Sequence, residues 1–207
     1  MEYLKTYNTY YDMTNTGRGL RRQHFVTYMG GFWGTKSAHW TGFTSTGSRA
    51  NASGQGINGG FYMTNTGNGG MYMNDKRMFD PESCGFNTTV KNHLGGSAIT
   101  YIGLAEDNLI ADDQILLEMG AATKFTLNIE GSAWARLNTS MPWHEQFVHA
   151  EGISNGVSCT LKLNGILEVT SSGASYQPQN KLQPLIRGRQ AGSTCQTTVA
   201  SYEAFNI

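Results

Sequence analysis

Residues 143–151 read Trp-His-Glu-Gln-Phe-Val-His-Ala-Glu and hold the densest set of side chains able to do chemistry. Written as one β-strand, Trp143, Glu145, Phe147, His149 and Glu151 share a face, because side chains two apart point the same way. An indole, two carboxylates and an imidazole in line suit a sugar-binding surface, with Trp143 as a stacking platform. The same face would serve an atypical hydrolase or lyase built on Glu145, His149 and Glu151. Spacing excludes the two carboxylates as each other's partner. At about 3.3 Å per residue they stand roughly 20 Å apart, whereas glycosidase carboxylates need about 5–10 Å. His149 and Glu151, about 7 Å apart by the same rise, would form an acid/base arrangement only with a third group from another strand. More plainly, Phe147 is core, Val148 and Ala150 are core on the opposite face, and the polar members lie at a rim.

Other residues carry weaker chemistry. Trp33, His39 and Trp40 put aromatic bodies with polar tips into a Gly-bounded loop, where they either form a binding platform or anchor the loop. Trp134 and Arg136 alternate with Ala133, Ala135 and Leu137, so they share one strand face and can stack there. Asp107, Asp112 and Asp113, with Glu106 and Asn108, supply hard oxygen donors of the kind Ca²⁺ takes. Their spacing is not that of an EF-hand, and solvated turn acids account for them equally simply. Cys84, Cys159 and Cys195 have no metal spacing. They are buried free thiols, or Cys159 pairs with Cys195. No serine sits in a nucleophile elbow, and no Gly-rich phosphate loop joins a strand to a helix.

The elements that must position these groups are strands. Residues 159–163 (CTLKL) alternate apolar and polar, Asn164-Gly165 follows, and 166–170 (ILEVT) resumes. Asn-Gly between two such runs marks a type I′ hairpin, since both central residues take positive φ. Phe125, Leu127 and Ile129 alternate with Thr126, Asn128 and Glu130, and Gly131-Ser132 turns the chain into 133–137, a second hairpin. Residues 198–205 form a closing strand. Shorter strands are expected at 24–28, 60–63, 71–73 and 100–103. Residues 112–120 suit a strand with Ile115, Leu117 and Met119 inward better than a two-turn helix. The pentapeptide MTNTG occurs at 13–17 and 63–67, but the likeness ends beyond its flanks, so it marks strand ends and not a repeat. The second copy is expected to lead into a hairpin across 61–73. Gly, Ser, Thr and Asn interleave over 37–60, which is expected to be a long surface loop in one domain spanning 1–207.

Composition narrows the function classes. Of 207 residues only 14% are charged, and fifteen basic residues balance fifteen acidic ones. No net field draws in a polyanion, so nucleic acid is not an expected partner. No apolar run reaches the roughly 18–20 residues of a membrane span, and the first residues lack the pattern of a signal peptide.

Residues 59–63 (GGFYM), 78–81 (MFDP), 102–104 (IGL), the hairpin at 163–166 (LNGI) and the closing 201–206 (SYEAFN) resemble the concanavalin A-like lectin/glucanase (laminin G-like) superfamily. The resemblance implies an all-β antiparallel jelly-roll sandwich whose last strand pairs with the N-terminal strand, and a concave face that often binds saccharides. Hydrolases of that superfamily carry Glu-x-Asp-x-Glu on one strand. This chain has no such segment, nor the Arg-Glu-Leu-Arg and Gln-Ile-His motifs of the alginate-lyase relatives, which points away from an enzyme. The expected function is a non-catalytic carbohydrate-binding module displayed on a virus or phage particle or another extracellular surface. Its ligand is a glycan or polysaccharide, with Trp33, His39, Trp40, Trp134, Arg136 and Trp143 as contacts and Ca²⁺ as the one conceivable cofactor. A structural virion protein touching other virion proteins or copies of itself is the alternative.

Overall fold

A computed structural model of the chain describes residues 79–94, 99–106, 113–120, 124–142, 146–189 and 195–207, with the backbone of six short strands upstream. In chain order the strands are β1 (Tyr10–Tyr11), β2 (Gln23–Tyr28), β3 (Thr41–Phe43), β4 (Ser48–Asn51), β5 (Phe61–Asn65), β6 (Gly69–Tyr72), β7 (Cys84–Leu94) and β8 (Ile99–Ala105). There follow β9 (Gln114–Met119), β10 (Lys124–Glu130), β11 (Trp134–Pro142), β12 (Val148–Ser154), β13 (Cys159–Leu163), β14 (Ile166–Ser171), β15 (Gln183–Arg189) and β16 (Cys195–Asn206). Among the described residues they form two antiparallel sheets. A nine-stranded sheet runs β1-β2-β16-β7-β12-β13-β14, with β5 also on β16 and β4 on β5. A seven-stranded sheet runs β11-β10-β9-β8-β15-β6-β3.

Alternation places the core between the sheets. Ile102, Leu104, Ile115, Leu117, Met119, Phe125, Leu127 and Ile129 face inward from one sheet. Phe86, Val90, Val148, Ala150, Leu161, Leu163, Val199 and Tyr202 face them from the other. Two glycines make room for the Phe86 ring in the centre. A Cβ on Gly152 of the nine-stranded sheet would stand 2.3 Å from the Phe86 ring, and one on Gly103 of the seven-stranded sheet 2.9 Å from it. Gly103 also adopts φ +155°, which side chains rarely take, and its carbonyl accepts the buried Tyr202 hydroxyl at 2.6 Å, a bond between the sheets. Burial holds the Tyr202 phenol well above its usual range, and Cys84 nearby adds to this.

Both expected hairpins form. Asn164 (φ 51°) and Gly165 (φ 82°) join β13 to β14, and Glu130 faces Trp134 across the β10–β11 turn. Residues 114–119 are a strand with Ile115, Leu117 and Met119 in the core. β16 pairs with β2, which closes the sheet at its N-terminal strands.

Other expectations change. The strand expected over 143–151 begins at Val148, with Val148 and Ala150 in the core as the alternation requires. β3 and β4 fall within 37–60, where a loop is expected. The second MTNTG does not turn into a hairpin. β5, which contains Met63-Thr64-Asn65, pairs with β4 and β16, while β6 pairs with β3 and β15 in the other sheet. The chain therefore passes from one sheet to the other between β5 and β6.

Cys159 is a free buried thiol and not half of a bridge to Cys195, whose side chain lies outside the described residues. Its Sγ donates to Gln177 Oε1 at 3.2 Å. Burial pushes the thiol up to about 11, against a smaller opposing pull from Ser154. Burial raises the free Cys84 thiol further, helped by Cys159 and Asp80.

Candidate functional site

Three consecutive strands of the seven-stranded sheet put polar groups on the face turned away from the core. β9 presents Gln114, Leu116 and Glu118, β10 presents Thr126, Asn128 and Glu130, and β11 presents Trp134, Arg136 and Asn138, while Ala135 and Leu137 pack inward. The register aligns these residues in rows that continue onto β8 and β15. One row is Gln183–Ala105–Gln114–Glu130–Trp134, the next Leu185–Gly103–Leu116–Asn128–Arg136, and the third Arg187–Tyr101–Glu118–Thr126–Asn138. Neighbouring strands lie about 4.8 Å apart, so a row spans roughly 19 Å.

The polar members bond to one another. Asn128 Oδ1 accepts from Trp134 Nε1 at 3.0 Å and from Gln114 Nε2 at 2.9 Å, and Gln114 Nε2 also reaches Glu130 Oε2 at 3.3 Å. Glu118 Oε2 accepts from Asn128 Nδ2 and from Arg136 Nε, each at 3.0 Å, while Arg136 Nη2 pairs with Glu118 Oε1. Thr126 Oγ1 donates to Asn138 Oδ1 at 2.9 Å. The Arg136 guanidinium carbon lies 5.9 Å from the Trp134 ring centroid, within cation–π range. Burial is graded across the face: Gln114, Glu118, Thr126 and Asn128 are at most 1% exposed, while Trp134 on the edge strand is 54% exposed. Tyr101, Ala105, Leu116 and Leu185 form a buried apolar strip beside this lattice. A half-exposed indole next to a rigid array of amides, carboxylates and a guanidinium suits a ligand with a flat apolar face and a rim of hydrogen-bonding groups.

His149 and Glu151 share a face, but on the other sheet. The imidazole is exposed with Nδ1 3.3 Å from Thr89 Oγ1, and the Glu151 carboxylate takes Lys162 Nζ at 2.7 Å. The sandwich, about 10 Å from sheet to sheet, separates them from Trp134 and Arg136. Trp33, His39, Trp40, Trp143, Glu145, Asp107 and Asp112 lie outside the described residues. Asp113 is buried, and its Oδ2 accepts the backbone N–H of Gln179, at 2.6 Å, and of Asn180, which fixes that turn. Among the described residues no three His, Cys, Asp or Glu side chains gather as a metal site would require, and no helix is long and apolar enough to cross a membrane.

The chain matches no known protein family and no curated protein. It does match solved structures. A Bacillus licheniformis beta-glucanase superposes with TM-score 0.61 at 10% identity over 88% of this chain and 98% of that one. The carbohydrate recognition domain of Emp47p gives TM-score 0.61 at 8% identity over 87% of this chain and 94% of that one. The chain is a concanavalin A-like jelly roll. A sialidase matches as well, with TM-score 0.59 at 11% identity over 87% of this chain, which spans only 18% of that protein. At these identities the likeness is one of fold.

Within the jelly roll, β9 repeats the alternate spacing expected of a hydrolase strand but fills it with Gln114, Leu116 and Glu118, a single carboxylate. Both oxygens of that carboxylate already accept hydrogen bonds from Arg136 and Asn128. Sequence reasoning singles out Trp134 and Arg136 but misses their partners Asn128 and Glu118, and Gln114 and Glu130 that bond on from Asn128. The clue is polar alternation at 126, 128 and 130 facing 134, 136 and 138 across a short turn.

Proposed function

We propose that the outer face of β9–β11 binds a carbohydrate chain without turning it over. The observation that carries this is the half-exposed Trp134 held beside a hydrogen-bonded lattice of Asn128, Gln114, Glu118 and Arg136. The apolar C–H face of a pyranose stacks on the indole, while its hydroxyls exchange hydrogen bonds with the exposed Asn138 amide and the part-exposed Arg136 guanidinium, which the buried amides and carboxylate hold in place. A preformed lattice keeps the ordering cost of binding low. Support from the comparisons is of the same kind, since they include a beta-glucanase, a carbohydrate recognition domain and a sialidase. The engagement of Glu118 by Arg136 and Asn128 favours binding over acid/base chemistry. Display on a virus or phage particle is a further part of the proposal, supported only by the neutral composition with 26 glycines.

The test is a glycan array followed by calorimetry on the parent and on Trp134→Ala. The parent should bind at least one oligosaccharide class, and the variant should bind it more than about tenfold more weakly with an unchanged circular dichroism spectrum. Parent protein that binds no saccharide, or a variant that binds as the parent does, would overturn the proposal.

A further inference from the structure

On the outer face of the seven-stranded sheet, accessible chemistry is concentrated on the edge strand. Gln114, Glu118, Thr126 and Asn128 are at most 1% exposed, so a ligand laid across β9 and β10 would meet little of them. β11 ends the sheet and offers Trp134 at 54% exposure, the part-exposed Arg136 and the exposed Asn138. Alternate residues of a strand lie about 6.6 Å apart, so the three form a line of roughly 13 Å along the edge.

What these residues leave unspent is one-sided. An indole and a guanidinium donate hydrogen bonds and accept none. The Trp134 Nε1 proton goes to Asn128, and Arg136 uses Nε and Nη2 on Glu118. The N–H groups on Arg136 Nη1 have no partner among the described residues. Asn138 accepts from Thr126 through Oδ1, and its Nδ2 likewise has none among them. The line therefore holds spare side-chain donors and no spare side-chain acceptor, beside an apolar ring centred 5.9 Å from the Arg136 guanidinium carbon. It carries no net charge, because Glu118 balances Arg136, and beyond its ends stand one charge of each sign, Glu130 and Lys124.

A neutral acceptor joined to an apolar group is the complement of such a line. Resting on the saccharide-binding reading above, we propose that β11 selects a sugar unit bearing an acetamido group, in a ligand that runs along the edge strand and not across the sheet. The acetamido carbonyl accepts from Arg136 Nη1 and Asn138 Nδ2, and its methyl group lies against the exposed part of Trp134. A hydroxyl in the same place brings a proton that no side chain on the line is left to accept, and a protonated amine brings more of them. A carboxylate brings a charge that Arg136, already paired, does not balance.

The test is a glycan array of matched oligosaccharides that differ only in a 2-acetamido or a 2-hydroxyl group, together with uronate counterparts, followed by calorimetry on the full chain. Acetamido members should bind at least about tenfold more tightly than their hydroxyl partners. Asn138→Asp keeps the side-chain size and the oxygen to which Thr126 donates, and exchanges the outward donor for an acceptor. The variant should bind the acetamido ligand about tenfold more weakly and its hydroxyl partner about as the parent does. Its melting temperature reports folding independently. Acetamido and hydroxyl partners bound equally, or a uronate bound best, would overturn the acetamido subsite and leave the saccharide-binding face standing. An acetamido preference that Asn138→Asp leaves unchanged would overturn its placement on β11. Absence of binding to every glycan would overturn both proposals.

Discussion

Replacing Arg136 with Leu strips the counter-charge from a carboxylate that is 1% exposed. Removing one partner of a buried pair costs about 3–5 kcal/mol, because the other charge is left without water or partner. Arg136 itself is 34% exposed, so solvent already screens part of the attraction, and Asn128 Nδ2 still donates to Glu118 in the variant. The expected loss is therefore about 1.5–3 kcal/mol, which corresponds to a fall of roughly 3–12 °C in melting temperature for a domain of this size. The mirror change behaves differently. Glu118→Gln leaves a guanidinium that can turn to water, and it should cost about 1 kcal/mol. Removing both charges in Arg136→Leu/Glu118→Gln keeps an amide oxygen for Asn128 Nδ2 to donate to, and should recover most of the Arg136→Leu loss. Urea denaturation followed by far-ultraviolet circular dichroism on the four proteins yields the coupling energy directly. An Arg136→Leu loss below about 0.5 kcal/mol, or a double variant equal to the sum of the singles, would refute the view that this face is a built network.

Two further outcomes follow from the core. Gly152→Ala sets a methyl group 2.3 Å from the Phe86 ring, which should cost about 1–3 kcal/mol by overpacking. Phe86→Leu in the same chain should relieve part of that cost, and a denaturation midpoint unchanged by Gly152→Ala would count against the packing described. The buried thiols predict alkaline sensitivity. In the unfolded chain a thiol ionises near 9.0, whereas Cys159 is pushed up to about 11 and Cys84 higher. The native state then holds protons that the unfolded state releases, so their contribution is intact below pH 9 and is lost as pH rises toward 11. Urea midpoints measured from pH 8 to pH 10.5 should fall, and fall less in Cys84→Ala/Cys159→Ala. An identical slope in the two proteins would refute the assignment.

The strands with strict apolar alternation were legible in the sequence, and those whose inward positions are polar were not. Residues 125–130 and 159–163 show a period of two in plain view, and Asn164-Gly165 names its own turn. β7, at the centre of its sheet, turns Cys84, Phe86, Thr88, Val90 and Asn92 inward, all 0% exposed. Thr88 hides its hydroxyl on the Ser201 carbonyl, and Thr197 donates to Asn92, so two buried polar side chains blur the pattern that marks a strand. β15 contains Pro184 and Gly188, which read as turn residues until the partner strands are known. The binding face failed for a related reason. Gln114, Glu118 and Asn128 look like ordinary solvent-side residues of half-buried strands. Their burial comes from side chains on the neighbouring strands of the same face, which bond to one another, and single-strand periodicity does not see that. The chemistry-rich run at 143–151 drew attention because its residues are near in sequence, while the lattice on β9–β11 draws its members from three strands.

β16 sits inside its sheet, with β2 on one side and β7 on the other. The bond from Thr88 to the Ser201 carbonyl joins residues 113 positions apart. During synthesis, then, the two largest parts of that sheet emerge with open edges facing a gap that only the late strand can fill. Tyr202 and Val199, which supply core side chains from β16, arrive with it. Such non-local closure is slow, and a waiting chain with unpaired edges is prone to sticking to its neighbours. The order in which a ribosome delivers the strands thus becomes a hazard for recombinant expression. The cost falls on yield and not on the stability of the finished sandwich.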